Sequence, residues 1–240
     1  MKPLLPFSFF QLHPKALLLQ WKQEPSDHLL NEILTVKSEL SSNLKEIHGL
    51  TQGYQSLLIL LKKPLVSSKK LQKKITTIYA GINRFESPQS KHWTLPVCYD
   101  SAFGNDLHTL SKQLEIDSTT LIEFHSGSLY RVQFIGFLPG FLYLNGLPKA
   151  LNTERKSIPS PKVQAGAVAI GGAQTGIYPI ESPGGWHIIG NTPVNLFNPE
   201  AKSPCFAQSG DHVTFEPISQ KEYTQIKKAV AKGTYSLKYD

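Results

Sequence analysis

The sequence predicts an α+β half followed by a mainly β half. Two apolar patterns at helical spacing, each next to a short aliphatic run, fall within the first 81 residues. From Tyr130 onward the pattern changes to short apolar runs broken by turns, and Tyr130 to Pro199 holds 10 of the 17 glycines and 8 of the 17 prolines. That stretch has only seven charged residues and many aromatics, so it is too apolar for a linker. Its glycines and prolines read as the hairpin turns of a barrel or sandwich.

In chain order, Ala16 to Trp21 reads as a short buried strand. Pro25 and Ser26 open a helix capped by Ser26 or Asp27, with Leu29, Leu30, Ile33, Leu34, Val36, Leu40 and Leu44 on one face. Ile47 to Gln55 holds turn signals at Gly49 and Gly53, and Tyr54 to Leu61 is a second strand that Pro64 stops. A second amphipathic helix turns Leu65, Leu71, Ile75 and Ile78 inward and its lysines outward, and ends at Gly81. Strand, helix, strand, helix suggests a small domain of the split βαβ, ferredoxin-like type over residues 1–88. Ile82 to Trp93, with Pro88, reads as the linker to a second domain over 89–240. There Trp93 to Tyr99 is a strand, helices start at Asp106 and Asp117, and Tyr130 to Phe137 is a strand. Short strands are expected at 168–170, 176–179, 187–189, 194–197 and 213–216, before a terminal helix from Glu222 to Lys232.

At 240 residues with 40% hydrophobic and 18% charged, the chain has ample material for cores. The net charge of +7 is confined to residues 1–91, which carry 13 Lys/Arg and 6 Asp/Glu; residues 92–240 carry 12 of each. Six lysines between Lys62 and Lys74 have no acid among them. They form either a solvated face or a patch for an acidic partner, and the lack of interleaved aromatics argues against nucleic acid. Cys98 and Cys205 form no metal spacing and read as free thiols of a reducing compartment. Met1 to Leu12 carries Pro3 and Pro6 and no cleavage site, and the longest aliphatic run, Leu57 to Leu61, cannot span a bilayer. A soluble, cytoplasmic protein without a membrane segment is expected.

No GxSxG, HExxH, Walker A or GxGxxG signature occurs. Gly171-Gly172 and Gly184-Gly185 could cradle phosphate with backbone N–H groups or form tight hairpins. His125, at a helix end, suits an acid, base or anion partner, or a helix cap. Arg155, near Pro159 and Pro161, offers a fork for a carboxylate or phosphate, or lies on the surface. Glu181 is a candidate base or a turn acid, and Gln174 carries an amide suited to a small amide or lactam. Tyr130, Tyr143 and Tyr178 offer hydroxyls or fill the core, and Trp186 walls a pocket or packs inside.

Tyr130-Arg-Val-Gln-Phe-Ile-Gly-Phe-Leu-Pro-Gly-Phe-Leu-Tyr-Leu144 resembles the signature of the family formed by the B subunits of 5-oxoprolinase, also called allophanate hydrolase subunit 1 or the KipI family. Ala173-Gln-Thr-Gly-Ile-Tyr-Pro179, Glu181-Ser-Pro-Gly-Gly-Trp186, Leu95 to Tyr99 and His125 match the same family. The resemblance implies an N-terminal α+β domain and a cyclophilin-like β-barrel. It implies one component of a heteromeric enzyme that converts 5-oxoproline to glutamate with ATP and Mg²⁺. Its implied partners are the C component, a second cyclophilin-like protein, and the A component, of the lactam-utilisation type. His125 and Glu181 would then be catalytic, Tyr130, Arg155, Gln174, Tyr178 and Trp186 would hold the substrate, and no metal ligands belong to this chain. The alternative within the family is a KipI-like inhibitor of a sensor histidine kinase. The chain departs from the family pattern at Glu154, Ser160, Gln164 and Asn191, where Pro, Arg, Pro and a basic residue are usual, and Lys156 or Lys162 is expected to replace the lost charge.

Overall fold

The computed structural model describes residues 5–65, 67–86 and 89–240. It divides into two compact units, Met1–Gln89 and Ser90–Asp240. Ser87 and Pro88, within the expected linker, lie outside the described residues.

The first unit is built from two hairpins, each followed by a helix: β1 (Phe7–His13), β2 (Ala16–Trp21), α1 (Asp27–Asn43), β3 (Ile47–Gln52), β4 (Ser56–Leu61) and α2 (Ser68–Ala80). The sheet runs β1-β2-β4-β3 and every neighbouring pair is antiparallel. β4 therefore separates β2 from β3, which run parallel and are joined through α1. Alternate residues Leu17, Leu19 and Trp21 of β2 and Leu57, Ile59 and Leu61 of β4 are buried against Leu29, Ile33, Val36 and Leu40 of α1 and Leu71 and Ile75 of α2. Each such side chain contributes about 1.5–3 kcal/mol. Ser26 caps α1 by accepting from the Leu29 N–H. The buried Glu32 carboxylate accepts from Trp21 Nε1 at 2.7 Å and Tyr79 Oη at 3.1 Å, which ties β2, α1 and α2 together. Two strands differ from expectation. β3 carries Gly49 at a register irregularity, so a bulged strand reads as a turn. β1 adds an edge strand before the first expected one.

The second unit contains β5 (His92–Val97), α3 (Leu107–Gln113), α4 (Ser118–Ser126), β6 (Tyr130–Ile135), β7 (Leu142–Asn145), β8 (Ser160–Val163), β9 (Ala167–Gly171), β10 (Gln174–Ile177), β11 (Ser182–Gly184), β12 (His187–Asn191), β13 (His212–Pro217), α5 (Gln220–Ala231) and β14 (Lys238–Tyr239). Eight strands run in the order β12-β9-β10-β7-β6-β13-β5-β14, with β5 and β13 parallel. Cys98, just past β5, exchanges two hydrogen bonds with Asn191 at the end of β12, which brings the two sides of the sheet together. Alternation sorts the faces. Leu142, Leu144, Val168 and Ile170 join Leu110 of α3 and Leu121 of α4 in one core. Phe141, Ala167 and Ala169 face the other way, with Val163 of β8, Tyr178 and Trp186. The two-stranded β8–β11 ribbon covers that second face. The expected strand at 194–197 is reduced to a bridge between Phe197 and Cys205. Its Pro193 and Pro199 flank too few free N–H groups for a ladder. Among the described residues, no helix is long and apolar enough to cross a membrane.

Candidate functional site

A pocket of about 440 Å³ opens on the second face, between the sheet and the β8–β11 ribbon. Its wall is aromatic: Phe137, Phe141, Tyr143, Tyr178 and Trp186. The Trp186 indole meets the rings of Phe141 and Tyr143 edge-on at 5.8 Å each. Two glycines make room for it. A Cβ at Gly171 would lie 2.6 Å from the indole, and one at Gly176 would lie 2.9 Å from it. Gly184 likewise lets the ribbon lie on the Tyr178 phenol, which a Cβ would strike.

The cation comes from the segment before β8. The Arg155 guanidinium carbon sits 5.6 Å from the centre of the Trp186 ring, a cation–π arrangement. The segment is anchored on both sides of Arg155. His187 Nε2 pairs with the Glu154 carbonyl at 3.0 Å, and the Lys156 N–H donates to Gly185 O at 2.7 Å. Lys156 Nζ bridges Asp106 Oδ2 at 2.7 Å and Ser160 Oγ at 2.8 Å, and Asp106 Oδ2 also accepts from the Ile188 N–H at 2.8 Å. Asp106 thus serves as a cross-link rather than as the side-chain cap expected for α3. Burial raises the phenol pKa of Tyr143 and Tyr178, with the Arg155 charge partly offsetting it, so both remain neutral donors at pH 7.

The structure brings Arg155, Tyr178, Trp186, Gly184 and Gly185 of the expected site into this lining and packs Gly171 beneath Trp186, while His125, Tyr130 and Glu181 lie outside it. His125 is corrected from an accessible acid or base to a core residue: it is 0% exposed, and burial lowers its pKa to about 3. Its Nδ1 meets Tyr99 Oη at 2.8 Å, its Nε2 meets Thr175 Oγ1 at 2.9 Å, and its ring stacks on Phe215. Tyr130 is corrected in the same way, since it is fully buried and donates to the His125 carbonyl. Glu181 is exposed and pairs with Lys162 at 3.1 Å, outside the pocket lining. Gly171 closes β9 opposite Gln174, and Gly172 opens the two-residue turn of the β9–β10 hairpin, where it has φ +67° and pairs with Thr153. Gln174 lies opposite Gly171 on the sheet face that Trp186 covers, and its Nε2 is buried without a partner.

The expected stand-ins for the missing arginine are both committed elsewhere, Lys156 to Asp106 and Lys162 to Glu181. Among the described residues Arg155 makes no ion pair, so it is the pocket cation open to an anion. Asn191 is a structural tie: it is buried, donates to the Ala165 carbonyl and accepts from Tyr223 Oη. Sequence reasoning missed Phe141 as a pocket wall, although the Phe141-Leu-Tyr143 alternation places both rings on one face. It also missed the Asp106–Lys156 pair, which spans fifty residues and leaves no local signal.

The model of the carboxyltransferase domain, subdomain C and D, matches residues 7–207. The chain is 44% identical over 133 residues to the B subunit of 5-oxoprolinase from Bacillus subtilis (strain 168), covering 55% of this chain and 55% of that protein. It is 41% identical over 150 residues to the B subunit of 5-oxoprolinase from Haemophilus influenzae, covering 62% of this chain and 70% of that protein. The match thus spans about half the length of the first relative and over two thirds of the second. The urea amidolyase of K. lactis has the same fold over 98% of this chain and 16% of its own, with a TM-score of 0.82 at 18% identity. With two relatives above 40% identity and a family model matched across most of its length, the chain belongs to the family of the carboxyltransferase domain, subdomain C and D, and stands there with the B subunits of 5-oxoprolinase.

Proposed function

We infer that this protein is the B component of a cytoplasmic 5-oxoprolinase complex, which opens 5-oxoproline to glutamate using ATP together with its A and C components. One observation carries the reading: the pocket where Arg155 overhangs the Trp186 ring. A small flat lactam with one carboxylate suits it. The carboxylate meets the Arg155 fork through charge-assisted hydrogen bonds. The ring lies along Trp186 and Tyr143, and the neutral Tyr143 and Tyr178 phenols donate to the lactam oxygen. The relatives named as B subunits of 5-oxoprolinase support the same reading.

Among the described residues the lining contains no carboxylate and no histidine; its ionisable groups are Tyr143, Arg155, Lys156 and Tyr178, which suit binding and orienting an anion. This supports a chain that is inactive alone and relies on groups from its partner proteins. The described residues include no cluster of three or more metal-ligating side chains, and the pocket's polar set suits an anion rather than Mg²⁺. Among the described residues this pocket offers no carboxylate to hold Mg²⁺. For the fold, we read the first unit as ferredoxin-like, with β1 in the place usually taken by a strand after the second helix. We read the second unit as a cyclophilin-like barrel joined by the Cys98–Asn191 bridge. The test is reconstitution: the chain mixed with the A and C components, 5-oxoproline and ATP should release glutamate, and omission of this chain should abolish release. Glutamate release at the same rate without it would refute the assignment.

A further inference from the structure

A second feature lies in the first unit, independent of the pocket. Two adjoining hollows, of about 470 and 570 Å³, share Lys70 and Lys74. The first has an aliphatic floor of Leu61, Pro64, Leu65 and Leu71, with Lys62 and Lys63 on its rim. The second runs on past Lys73 to Leu44, Thr77 and Ile78, between the end of α1 and α2. Lys70 and Lys74 are one helical turn apart, so their ammonium groups line one edge of a continuous groove. The groove already shows how it treats a carboxylate: Lys74 Nζ holds Glu46 Oε1 at 2.7 Å. In this unit 12 lysines and arginines face 6 acids, which accounts for +6 of the chain's net +7.

We propose that this groove is a docking site for an acidic amphipathic helix of a partner protein. The occupant follows from complementarity. The lysine rim calls for carboxylates, and the aliphatic floor calls for leucine-like side chains on one helix face. A nucleic acid fits less well, because among the described residues no aromatic side chain lines either hollow and bases would have nothing to stack on.

The experiment uses the full chain and fluorescence anisotropy at low salt. The probe is a labelled helical peptide with leucines on one face and glutamates on the other. Three competitors accompany it: the same peptide with Gln for Glu, one with Ser for Leu, and a single-stranded oligonucleotide. The Glu/Leu peptide is expected to bind, with affinity falling as salt rises. The Lys70→Glu, Lys74→Glu double variant should weaken it roughly tenfold or more, and Leu65→Ser should weaken it without changing the salt slope. Circular dichroism confirms that each variant is folded. No binding of the Glu/Leu peptide overturns the proposal. So does equal binding of the Ser-for-Leu peptide, which would make the floor irrelevant. Tighter binding of the oligonucleotide through the same lysines would reassign the surface to nucleic acid.

Discussion

A buried imidazole has to settle on one tautomer, and the partners of His125 determine it. Thr175 Oγ1 donates to the Ala169 carbonyl at 2.9 Å, so it accepts from His125 Nε2–H, and Nδ1 is left to accept from Tyr99 Oη. The Tyr99 donation needs an unprotonated Nδ1 and hence the neutral ring, and burial enforces it, with a folded pKa near 3 against 6.5 for the free side chain. Between those values the unfolded chain binds a proton that the folded chain refuses. The contribution is therefore complete above about pH 6.5 and is lost as pH falls toward 3, by about 1.4 kcal/mol per pH unit. Denaturant titrations at several pH values should show His125→Gln with a correspondingly flatter acid decline than the parent; parallel curves would show that His125 does not titrate this way. At the pocket, Arg155→Ala should raise KM for 5-oxoproline more than it lowers kcat in the reconstituted complex. The loss corresponds to about 1.5–3 kcal/mol for hydrogen bonds to a charged group. An unchanged KM would show that the substrate carboxylate binds elsewhere. His125 was legible as a singular residue but not as a core one, because nothing local to Phe124-His125-Ser126 reveals Tyr99, just past β5, or Thr175 of β10, both distant in sequence.

At the level of the element, the β9–β10 hairpin separates two uses of glycine that look identical in sequence. Gly171 is needed for space, since its missing Cβ is where the Trp186 ring rests. Gly172 is needed for backbone, at φ +67° with nothing within 4 Å of a Cβ. Gly171→Ala should therefore displace Trp186, cost about 1–3 kcal/mol by overpacking, and shift tryptophan emission. Gly172→Ala should cost about 1 kcal/mol through left-handed strain and leave the emission unchanged. Equal spectral effects of the two changes would refute the distinction. The terminal helix offers a simpler case. Ser219 and Glu222 form a reciprocal capping box, so Ser219→Ala should lower the melting temperature through a loss of about 0.5–2 kcal/mol. Elements with an uninterrupted apolar period, β2, β4, α1 and α2, were legible. Those missed were edge, short or irregular strands: β1 at the sheet edge, β3 through its glycine bulge, β7 at four residues, β8 and β11 through Pro161 and Pro183, and β14 at two residues. Pairing partners supplied by tertiary structure, rather than propensity, make these segments strands.

Across the whole molecule, the cores respect the division into units. One apolar cluster draws only on residues up to Ile82, and the other two draw only on Trp93 and beyond. The change in charge balance and in glycine and proline density marks the same transition in the sequence. The pocket belongs entirely to the second unit, and every anchor of the Arg155 segment lies there too. A chain reduced to residues 90–240 should therefore fold by itself and keep the Trp186 environment, because its core, its sheet and the Asp106–Lys156 tie are all retained. Near-ultraviolet circular dichroism and thermal melting provide the check: a sharp transition with native-like aromatic signals is expected. A broad melt with no aromatic signal would mean that the β-rich unit depends on its α+β neighbour for its packing, and that the pocket cannot be assigned to one unit on the strength of its lining alone.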